Sequence, residues 1–427
     1  MSLKQTLAPL RSYRFTLLWL GETVSDAGNR CFDVALIWLV TGLTSSPFLL
    51  GIVFTAQYIP TILLQIFGGI WADRVGPFKI TIWSDLLRTV VTFTLALLVT
   101  LGYISISSVF IFVVFYGLVS AFFNPAITVQ FASVVSPEEY NSSNALQQIG
   151  MRAAELLGPA LGGYLISRYS VTAAFVFDAV TFAISAAALI LIRPKAKKVA
   201  TKKVMLESHD DPRTTDMFAG FRFLWQERGL LAVVLLLSLT NAFNNVETVL
   251  VPVLVRFTLK LSAVQYGLLT TWFGIGAIIG AIFLSWFGNR IRYRALATCV
   301  SFTVFGTAII LIGIAQSIWQ MYGEYFLLGF SFAVGETTSS TLFLHAVPAH
   351  IRGRVFSILS TISMGLNPVG FLLAGALGSI YGPRVGLWIG GGAIVVLSIF
   401  ALVLPIIHRL DAKFASNEPS GTSGESP

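Results

Sequence analysis

Charge is the property that this sequence has least of. Only 11% of its 427 residues are Asp, Glu, Lys or Arg, whereas soluble domains average about 25%. Cysteine is nearly absent too: Cys31 and Cys299 are the two in the chain, with no CxxC spacing. This cysteine content excludes a disulfide framework and a cysteine-based metal site. The shortage of charge argues against a water-soluble fold.

The sequence also lacks the motifs of ATPases and of common enzymes. No glycine-rich loop ending in Gly-Lys-Ser/Thr occurs, so ATP is not the expected energy source. A Gly-x-Ser-x-Gly nucleophile motif and His/Glu metal-binding spacings are missing as well. We therefore expect no enzyme, no cofactor and no metal.

What fills the chain is apolar sequence, which makes up 55% of the residues. A transmembrane helix needs about 20 mainly apolar residues, and about a dozen stretches of this sequence are that long. The sequence predicts an all-α integral membrane protein with twelve transmembrane helices. Its predicted spans, with ends uncertain by about 2–4 residues, are 15–40, 48–71, 80–101, 106–128, 147–168, 171–192, 230–255, 264–287, 295–316, 319–342, 356–380 and 385–407.

Two halves of six spans each are separated by one polar insertion. The loop Asp73–Lys79 joins spans two and three, and the basic loop 288–294 joins spans eight and nine at the matching place. Such a six-plus-six repeat is expected of transporters, with a substrate site near the midplane between the halves. The predicted units are an N-terminal six-helix bundle (1–192), a cytoplasmic linker with an amphipathic helix (193–229), a C-terminal six-helix bundle (230–410) and a disordered tail (411–427).

The basic residues indicate topology. The net charge of +8 comes mainly from loops on one side of the predicted spans, and the positive-inside rule makes that side cytoplasmic. Both termini are then cytoplasmic. We expect a multi-pass protein of the bacterial plasma membrane, in contact with lipid and not with nucleic acid.

At this point the chain resembles the major facilitator superfamily. Gly69-Ile-Trp-Ala-Asp73-Arg74-Val-Gly76-Pro-Phe-Lys79 resembles that superfamily's loop between spans two and three, although the usual basic pair after the glycine is reduced to Lys79. A finer resemblance is to bacterial macrolide-efflux and enterobactin-exporter proteins. It rests on Ser25–Gly28 with Val34–Leu36, Ser84–Arg88, Phe123–Ala126, Gly158–Gly163, Phe177–Phe182, Gly220–Phe223 and Gly353–Ser357. The resemblance implies a fold of two six-helix bundles and an export function.

Span one carries an unusual set of charges: Glu22, Asp26, Arg30 and Asp33. Charges at membrane depth are costly and mark functional sites by default. At 100° per residue the four positions fall within about 80° of one another, so we expect this face to point into a polar cavity. Arg30 could pair with Asp26 or with Asp33. Glu22 or Asp26 could carry a proton as access to water changes; a static ion pair remains the alternative.

The second half offers further candidates for lining a cavity or coupling to protons. Span seven, the counterpart of span one, carries Glu247 with Asn244 and Asn245, and span ten carries Glu324 and Glu336. Intramembrane acids of this kind support proton coupling without excluding sodium. By contrast, Asp178 in span six is expected to be structural, since the resembling family often has an acid in its Phe-Asp-Ala segment.

A charge network is predicted at the cytoplasmic gate. Two pairs with i, i+3 spacing lie in the cytoplasmic third of spans three and five, close in sequence to the loop between spans two and three. By the resemblance, such residues latch the two halves together and tune the conformational equilibrium. The predicted gating residues are Asp73, Arg74, Lys79, Asp85, Arg88, Arg152 and Glu155, with Arg352 and Arg354 as second-half counterparts.

Three functions are compatible with this sequence. The first is proton-driven export of amphipathic small molecules such as drugs or macrolides, by a monomer. A second keeps the fold but exports a specific metabolite such as a siderophore, or works as a uniporter or uptake carrier. The third is a membrane enzyme or sensor, which no motif or soluble domain supports. The export direction rests on the resemblance alone.

Overall fold

Long helices occupy almost all of the described chain. The computed structural model describes residues 6–192, 219–288, 291, 293–348, 351–405 and 407–408. Within these residues there are thirteen α-helices and no strand. The first six helices are α1 (Tyr13–Leu43), α2 (Pro47–Val75), α3 (Pro77–Thr100), α4 (Ile106–Ser133), α5 (Tyr140–Arg168) and α6 (Val171–Ile192).

The second set begins with a short helix. The helix α7 (Ala219–Gln226) falls inside the stretch predicted to be amphipathic, whereas the rest of the predicted linker, 193–218, and the predicted tail lie outside the described residues. A π-helical turn, Leu254–Thr258, extends the next helix, α8. The long helices of this set are α8 (Arg228–Val253), α9 (Ala263–Phe287), α10 (Arg294–Ile314), α11 (Ile318–Ala346), α12 (Arg352–Tyr381) and α13 (Pro383–Val403).

Local sequence explains where several of these helices begin. The Ser46 hydroxyl accepts a hydrogen bond from the backbone N–H of Leu49 and so caps α2. Ser262 with Gln265 forms a capping box at the start of α9. Between α2 and α3, Gly76 has φ of +98°, and Pro77 begins the next helix. A glycine followed by proline therefore makes this turn with a single residue between helices.

Nine of the long helices in the described part are long and apolar enough to cross a membrane, and these include α2, α3, α4 and α6. The other three long helices, α1, α5 and α11, are more polar, because they carry the charges singled out in the sequence. Each of the three has at least 29 residues, more than the about 20 that a span requires. The prediction of an all-α membrane protein is confirmed; the count of exactly twelve spans stays a prediction.

The helix packing repeats between the halves. In the first half, α1 packs against α5 and α6, α3 packs against α4 and α6, and α2 packs against α4. The second half has the same pairs with each number raised by seven: α8 with α12 and α13, α10 with α11 and α13, and α9 with α11. The chain therefore forms two pseudo-symmetric six-helix bundles, in which α8 is the counterpart of α1.

Two helix pairs, α2–α12 and α5–α9, join the bundles, and they are equivalent under the same symmetry. Their contacts lie towards the end of the molecule that carries the α1–α2 loop. The Thr55 hydroxyl donates to the Pro368 carbonyl at 3.2 Å, and the backbone N–H of Phe48 donates to the Ser379 hydroxyl at 3.2 Å. A Cβ at Gly51 would overlap the Phe371 carbonyl oxygen, so glycine permits this close approach.

The α5–α9 contact has the same character. The Thr271 hydroxyl donates to the Leu156 carbonyl at 3.1 Å, and the Gly267 backbone lies against the Pro159 carbonyl. A third contact closes the same end, where Arg256 in the π-helical turn reaches the last turns of α1. The α1–α2 end is thus closed by hydrogen bonds and close backbone packing between the bundles.

We infer that the bundles are apart at the opposite end, which carries the α2–α3 loop. On α12, a Cβ at Gly365 would meet no described atom within 4 Å beyond its own stretch of helix. On α5, the side chain of Arg152 is 54% exposed. Both observations fit a space between the two halves that opens towards the α2–α3 end.

Candidate functional site

The four charges of α1 do not share one environment. Glu22 is buried inside the first bundle, where the Ser185 hydroxyl of α6 lies 3.4 Å from Oε1. Arg30 and Asp33, two to three turns further on, have side chains that are 43% and 41% exposed. Asp26 is half-buried between them. The prediction that the whole face points into one cavity is therefore wrong, because α5 and α6 pack on both sides of α1 and divide the face.

Ion pairs link α1 to α5 along the space between the bundles. Arg30 pairs with Glu155 at 3.2 Å, and Glu155 also pairs with Arg152 at 2.7 Å. Of the two partners considered for Arg30 on its own helix, Asp33 lies 3.9 Å away, and no ion pair with Asp26 forms among the described residues. The predicted Arg152–Glu155 pair is present. Two arginines are thus held by one glutamate from α5.

Aromatic side chains surround these charges towards the closed end. Tyr58 of α2 lies close enough to Arg30 and Asp33 to interact with both electrostatically. The rings of Trp38 and Tyr266, one from each half, have centroids 6.0 Å apart. Tyr266 lies within range of Asp33 as well as of Glu247 from the second half. Acids from both bundles therefore converge on one aromatic region.

In the second half, Glu247 is held by a tyrosine. The Tyr325 hydroxyl of α11 donates a hydrogen bond to its Oε1, and the Thr248 hydroxyl lies 3.5 Å from Oε2. Two residues before Glu247, the Asn245 amide donates to the Asn367 side chain of α12 at 3.2 Å, and Asn244 is half-buried. The half-buried Glu247 carboxylate is thus held by α11, whereas Asn245 ties α8 to α12.

The two acids of α11 lie far apart. Glu324 is half-buried near the closed end, and its Oε2 is buried without a hydrogen-bond partner among the described residues. Glu336 is exposed on the half of α11 nearer the open end, within electrostatic range of Arg152 across the space between the bundles. Of the two, Glu336 is the one that faces a charge from the other half.

Behind α1, a second set of charges is buried inside the first bundle. Asp85 accepts a 2.7 Å hydrogen bond from the Ser185 hydroxyl. The Arg88 guanidinium lies over the Phe123 ring, 4.0 Å from its centroid, and donates to the Ser120 hydroxyl at 3.1 Å. Asp178 is fully buried on α6, where the Thr92 hydroxyl is 3.5 Å from its Oδ2. None of this set opens to the space between the bundles.

This burial corrects the predicted gate network. Asp73 and Arg74 are exposed at the end of α2, and no ion pair joins them to another residue in the described ranges. Asp85 and Arg88 lie two to three turns into α3 and point into the bundle, so the loop charges do not reach them. Arg352 and Arg354 begin α12, where Arg352 donates to the Val347 carbonyl at 2.9 Å. No ion pair joins Asp73 or Arg74 to the second half among the described residues, and the latch between the halves stays a prediction.

Lys79, the remaining predicted gate residue, lines an apolar groove on the outside of the first bundle. The groove has a volume of about 390 Å³ and lies among α2, α3 and α4, with Trp71, Trp83, Phe115 and Phe122 among its walls. Its position on the lipid-facing side separates it from the charges described above.

The family of the chain follows from comparison with known proteins. The model of the family described as transmembrane secretion effector matches residues 4–421. The chain belongs to that family. It is a transporter of the major facilitator superfamily, as the sequence resemblance implied.

Relatives of known function support an efflux role for the transporter. The multidrug efflux pump Tap of Mycolicibacterium fortuitum is 24% identical over 405 residues, covering 92% of this chain and 96% of the relative. Macrolide efflux protein A of Streptococcus pyogenes is 22% identical, with 94% and 98% covered. The staphyloferrin A transporter of Staphylococcus aureus is 24% identical, with 86% and 88% covered. The chain is accordingly an efflux transporter.

Solved structures agree on the fold. A bacterial homologue of the human lysosomal transporter Spinster, inward-facing and unoccupied, superposes with a TM-score of 0.72 at 14% identity, covering 99% of this chain and 100% of that one. A bacterial homologue of the iron transporter ferroportin, also inward-facing, gives 0.68 at 16% identity, with 96% and 100% covered. At these identities the similarity concerns the fold alone.

The sequence analysis did not identify three residues of the transporter's polar sites. Ser185 bridges Glu22 and Asp85, Tyr325 holds Glu247, and Arg256 joins the halves. A hydroxyl or an arginine within or beside an apolar span is itself a signal, since polar groups there usually find a partner on another helix. That signal marks the residue but does not name its partner.

Proposed function

We propose that the transporter exports amphipathic small molecules, including drugs such as macrolides, in exchange for protons. One observation carries this proposal: the two bundles touch at the α1–α2 end and separate at the other, around a space lined by charged and aromatic side chains. Such a space accessible from one side is what alternating access requires of one of its states.

The walls of this space favour lipophilic cations. Four carboxyl groups, Asp33, Glu155, Glu247 and Glu336, accompany two arginines, Arg30 and Arg152, and both arginines are engaged by Glu155. The excess of acid attracts positive charge. The rings of Trp38, Tyr58 and Tyr266 add apolar surface and π faces, which suit a hydrophobic cation.

A second candidate is a specific metabolite such as a siderophore. The similarity to the staphyloferrin A transporter favours it, and the arginines could bind an anionic group if Glu155 released them. The acid excess argues for the cation first, because an anion would be repelled by the carboxylates that remain. A uniporter or an uptake carrier with this fold would use the same space.

The energy source and orientation are part of the proposal. Intramembrane acids together with the lack of an ATP-binding motif point to a proton gradient. We place the α2–α3 end on the cytoplasmic side of a bacterial plasma membrane, because the basic loops gather there. The termini are then cytoplasmic, the transporter works as a monomer in contact with lipid, and its open end faces the cytoplasm.

The test uses purified protein in liposomes with an imposed pH gradient. Ethidium and erythromycin serve as probe substrates and a carboxylate siderophore as the competitor class, while a pH-sensitive dye reports proton movement. We expect the probes to move against their own gradient and protons to move in the opposite direction, both abolished by an ionophore that collapses the gradient. Substrate movement without proton movement would refute the coupling, and transport of the siderophore alone would favour the second candidate.

A further inference from the structure

The buried charges of the first bundle are unusual in how completely they are removed from water. Asp85 is 0%, Arg88 3% and Glu22 8% exposed, and all three sit among α1, α3 and α6. They are separated from the space between the bundles by α1 itself, on which Arg30 and Asp33 face that space. A second polar compartment therefore lies directly behind the wall of the first.

A single hydroxyl group connects two of these acids. The Ser185 Oγ lies 2.7 Å from Asp85 Oδ2 and 3.4 Å from Glu22 Oε1. A serine has one hydrogen to donate, so it cannot donate to both carboxylates. If it donates to Asp85, the contact with Glu22 becomes a hydrogen bond only when Glu22 carries a proton of its own. The geometry thus provides a place for one proton on the Glu22–Ser185–Asp85 bridge.

Two buried polar atoms of this set have no hydrogen-bond partner among the described residues. The second oxygen of Asp85, Oδ1, and the Nε of Arg88 are both buried without a hydrogen-bond partner in the described part of the structure. The two residues lie three positions apart on α3, yet they form no ion pair within 4 Å. A buried ionised carboxylate beside an arginine would gain a strong charge-assisted hydrogen bond, so its absence fits a carboxyl pair that is neutralised by a proton.

Arg88 is instead held by aromatic rings. Its guanidinium carbon lies 4.0 Å from the centroid of the Phe123 ring and 5.4 and 5.6 Å from those of Phe182 and Tyr116. Such cation–π contacts, with the hydrogen bond to Ser120, keep the charge in place without a carboxylate partner.

The charged groups that the neighbouring helices place around Glu22 and Asp85 are mostly carboxyl groups. From α1 comes Asp26, from α3 Arg88 and from α6 Asp178, while on α4 the Tyr116 hydroxyl donates to the Asn29 side chain at 2.5 Å. Four carboxyl groups thus surround Arg88, and Arg30 is the further arginine that acts on Asp26. Isolated ionised carboxylates are very costly in a low-dielectric interior, so the Glu22–Asp85 pair accommodates one bound proton more readily than full ionisation.

We propose that the proton exchanged for substrate is bound by Glu22 and Asp85 through Ser185, inside the first bundle and apart from the space that substrate enters. Once this proton leaves, Arg88 moves from the aromatic rings to pair with Asp85. Because Glu22 shares α1 with Arg30 and Asp33, a shift of that helix connects the proton site to the substrate space. This inference rests on the proposed proton-coupled export and assigns the site of the proton.

The experiment compares variants of the full-length transporter in liposomes, with ethidium and erythromycin as probes. Glu22→Gln, Asp85→Asn and Ser185→Ala change the bridge. Asp178→Asn is the matched control, a buried acid of the same bundle outside the bridge, and Asp33→Asn is the substrate-space control. Each variant is measured for accumulation driven by a pH gradient and for exchange of labelled ethidium without any gradient.

We expect Glu22→Gln and Asp85→Asn to lose gradient-driven accumulation to the level of protein-free liposomes while keeping exchange. Ser185→Ala should weaken the dependence on pH, Asp178→Asn should couple as the unmodified protein does, and Asp33→Asn should change substrate affinity but remain coupled. If the unmodified protein couples and both bridge variants still do, the proton site is elsewhere and only this inference fails. If the unmodified protein moves no protons, or responds to a sodium gradient instead, the proposed function itself fails.

A second measurement tests the bridge even if the Glu22 and Asp85 variants fail to fold. Infrared spectra of the unmodified protein between acidic and alkaline pH should show the carbonyl band of a protonated, buried carboxyl group. Ser185→Ala, which removes only a hydroxyl, should shift that band because the hydrogen bond is lost. If no such band exists, or if it is unchanged in Ser185→Ala, the proposed bridge is refuted without reference to transport.

Discussion

The Arg256 guanidinium donates a 2.8 Å hydrogen bond to the Thr41 hydroxyl, and the two residues belong to different halves of the molecule. The same guanidinium donates to the Trp38 carbonyl and lies 5.1 Å from the Trp38 ring centroid. A cation near the C-terminal end of α1 also interacts favourably with the helix dipole. Arg256 therefore ties the second bundle to the first where the space between them is closed.

Replacing this arginine should favour opening of the closed end. Hydrogen bonds to charged groups contribute about 1.5–3 kcal/mol, so Arg256→Gln should shift the equilibrium about tenfold or more towards the open form. Spin labels on cysteines introduced at Ser45 and Lys260, both exposed at this end, would report longer distances in the variant. Arg256→Lys is the control, which keeps the charge but loses the forked donor, and its shift should be smaller. Unchanged distances in Arg256→Gln would mean that the contact does not hold the end closed.

The orientation of α1 and α2 across the membrane can be tested separately. With 31 residues α1 is about 46 Å long at 1.5 Å per residue, more than the ~30 Å of hydrocarbon it must cross. A cysteine at Ser45, in the α1–α2 loop, should react with an impermeant maleimide in intact cells. A cysteine at Val75, at the end of α2, should react only after lysis. Cys31 and Cys299 are buried, so the unmodified protein serves as the unlabelled control; the reverse pattern would invert our topology.

Sequence reasoning was most successful where the information is local. Span length depends on neighbouring residues, and most helix ends lie within about four residues of the predicted limits, although α4 ends five residues later and α5 begins seven residues earlier than predicted. The repeat of the two halves was also visible, because matched loops recur at matched places. These features need no knowledge of which helix packs against which.

The environment of each charge could not be predicted in the same way. Glu22 and Asp33 lie on one side of α1 by helical periodicity, yet α6 buries the first and the open space exposes the second. Ser185 meets Glu22 across 163 positions of sequence, a contact that only the tertiary packing determines. The latch at Asp73 and Arg74 stays a prediction, because a contact of this kind depends on how the two halves approach each other at the α2–α3 end and local sequence does not determine that.

The hydrogen bond from Tyr325 to Glu247 should matter for cationic substrates. Tyr325→Phe removes the hydroxyl but keeps the ring, so Glu247 loses the donor that fixes its carboxylate. Since hydrogen bonds to charged groups contribute about 1.5–3 kcal/mol and only part of this reaches the substrate, we expect KM for ethidium to rise about threefold to tenfold. Export of a neutral probe should change less. Tyr322→Phe, one turn away, is the control, because Tyr322 stacks its ring on Trp272; equal effects of both variants would disprove the role of the hydroxyl.

The ion pairs around Glu155 should be measurable as an interaction between helices. The Arg30–Glu155 pair spans α1 and α5 at 3.2 Å, with side chains 43% and 30% exposed. Partial exposure weakens such pairs, so a double-mutant cycle with Arg30→Gln and Glu155→Gln should give a coupling of about 1 kcal/mol in the free energy of unfolding in mixed micelles. The comparison cycle uses Arg30→Gln with Asp33→Asn, a 3.9 Å pair within one helix. That coupling should be smaller, about 0.3–0.5 kcal/mol, as for exposed pairs along a helix. If the effects of Arg30→Gln and Glu155→Gln simply add, the two residues do not stabilise each other. Arg30 would then be free to bind an anionic substrate, and the siderophore alternative would be strengthened.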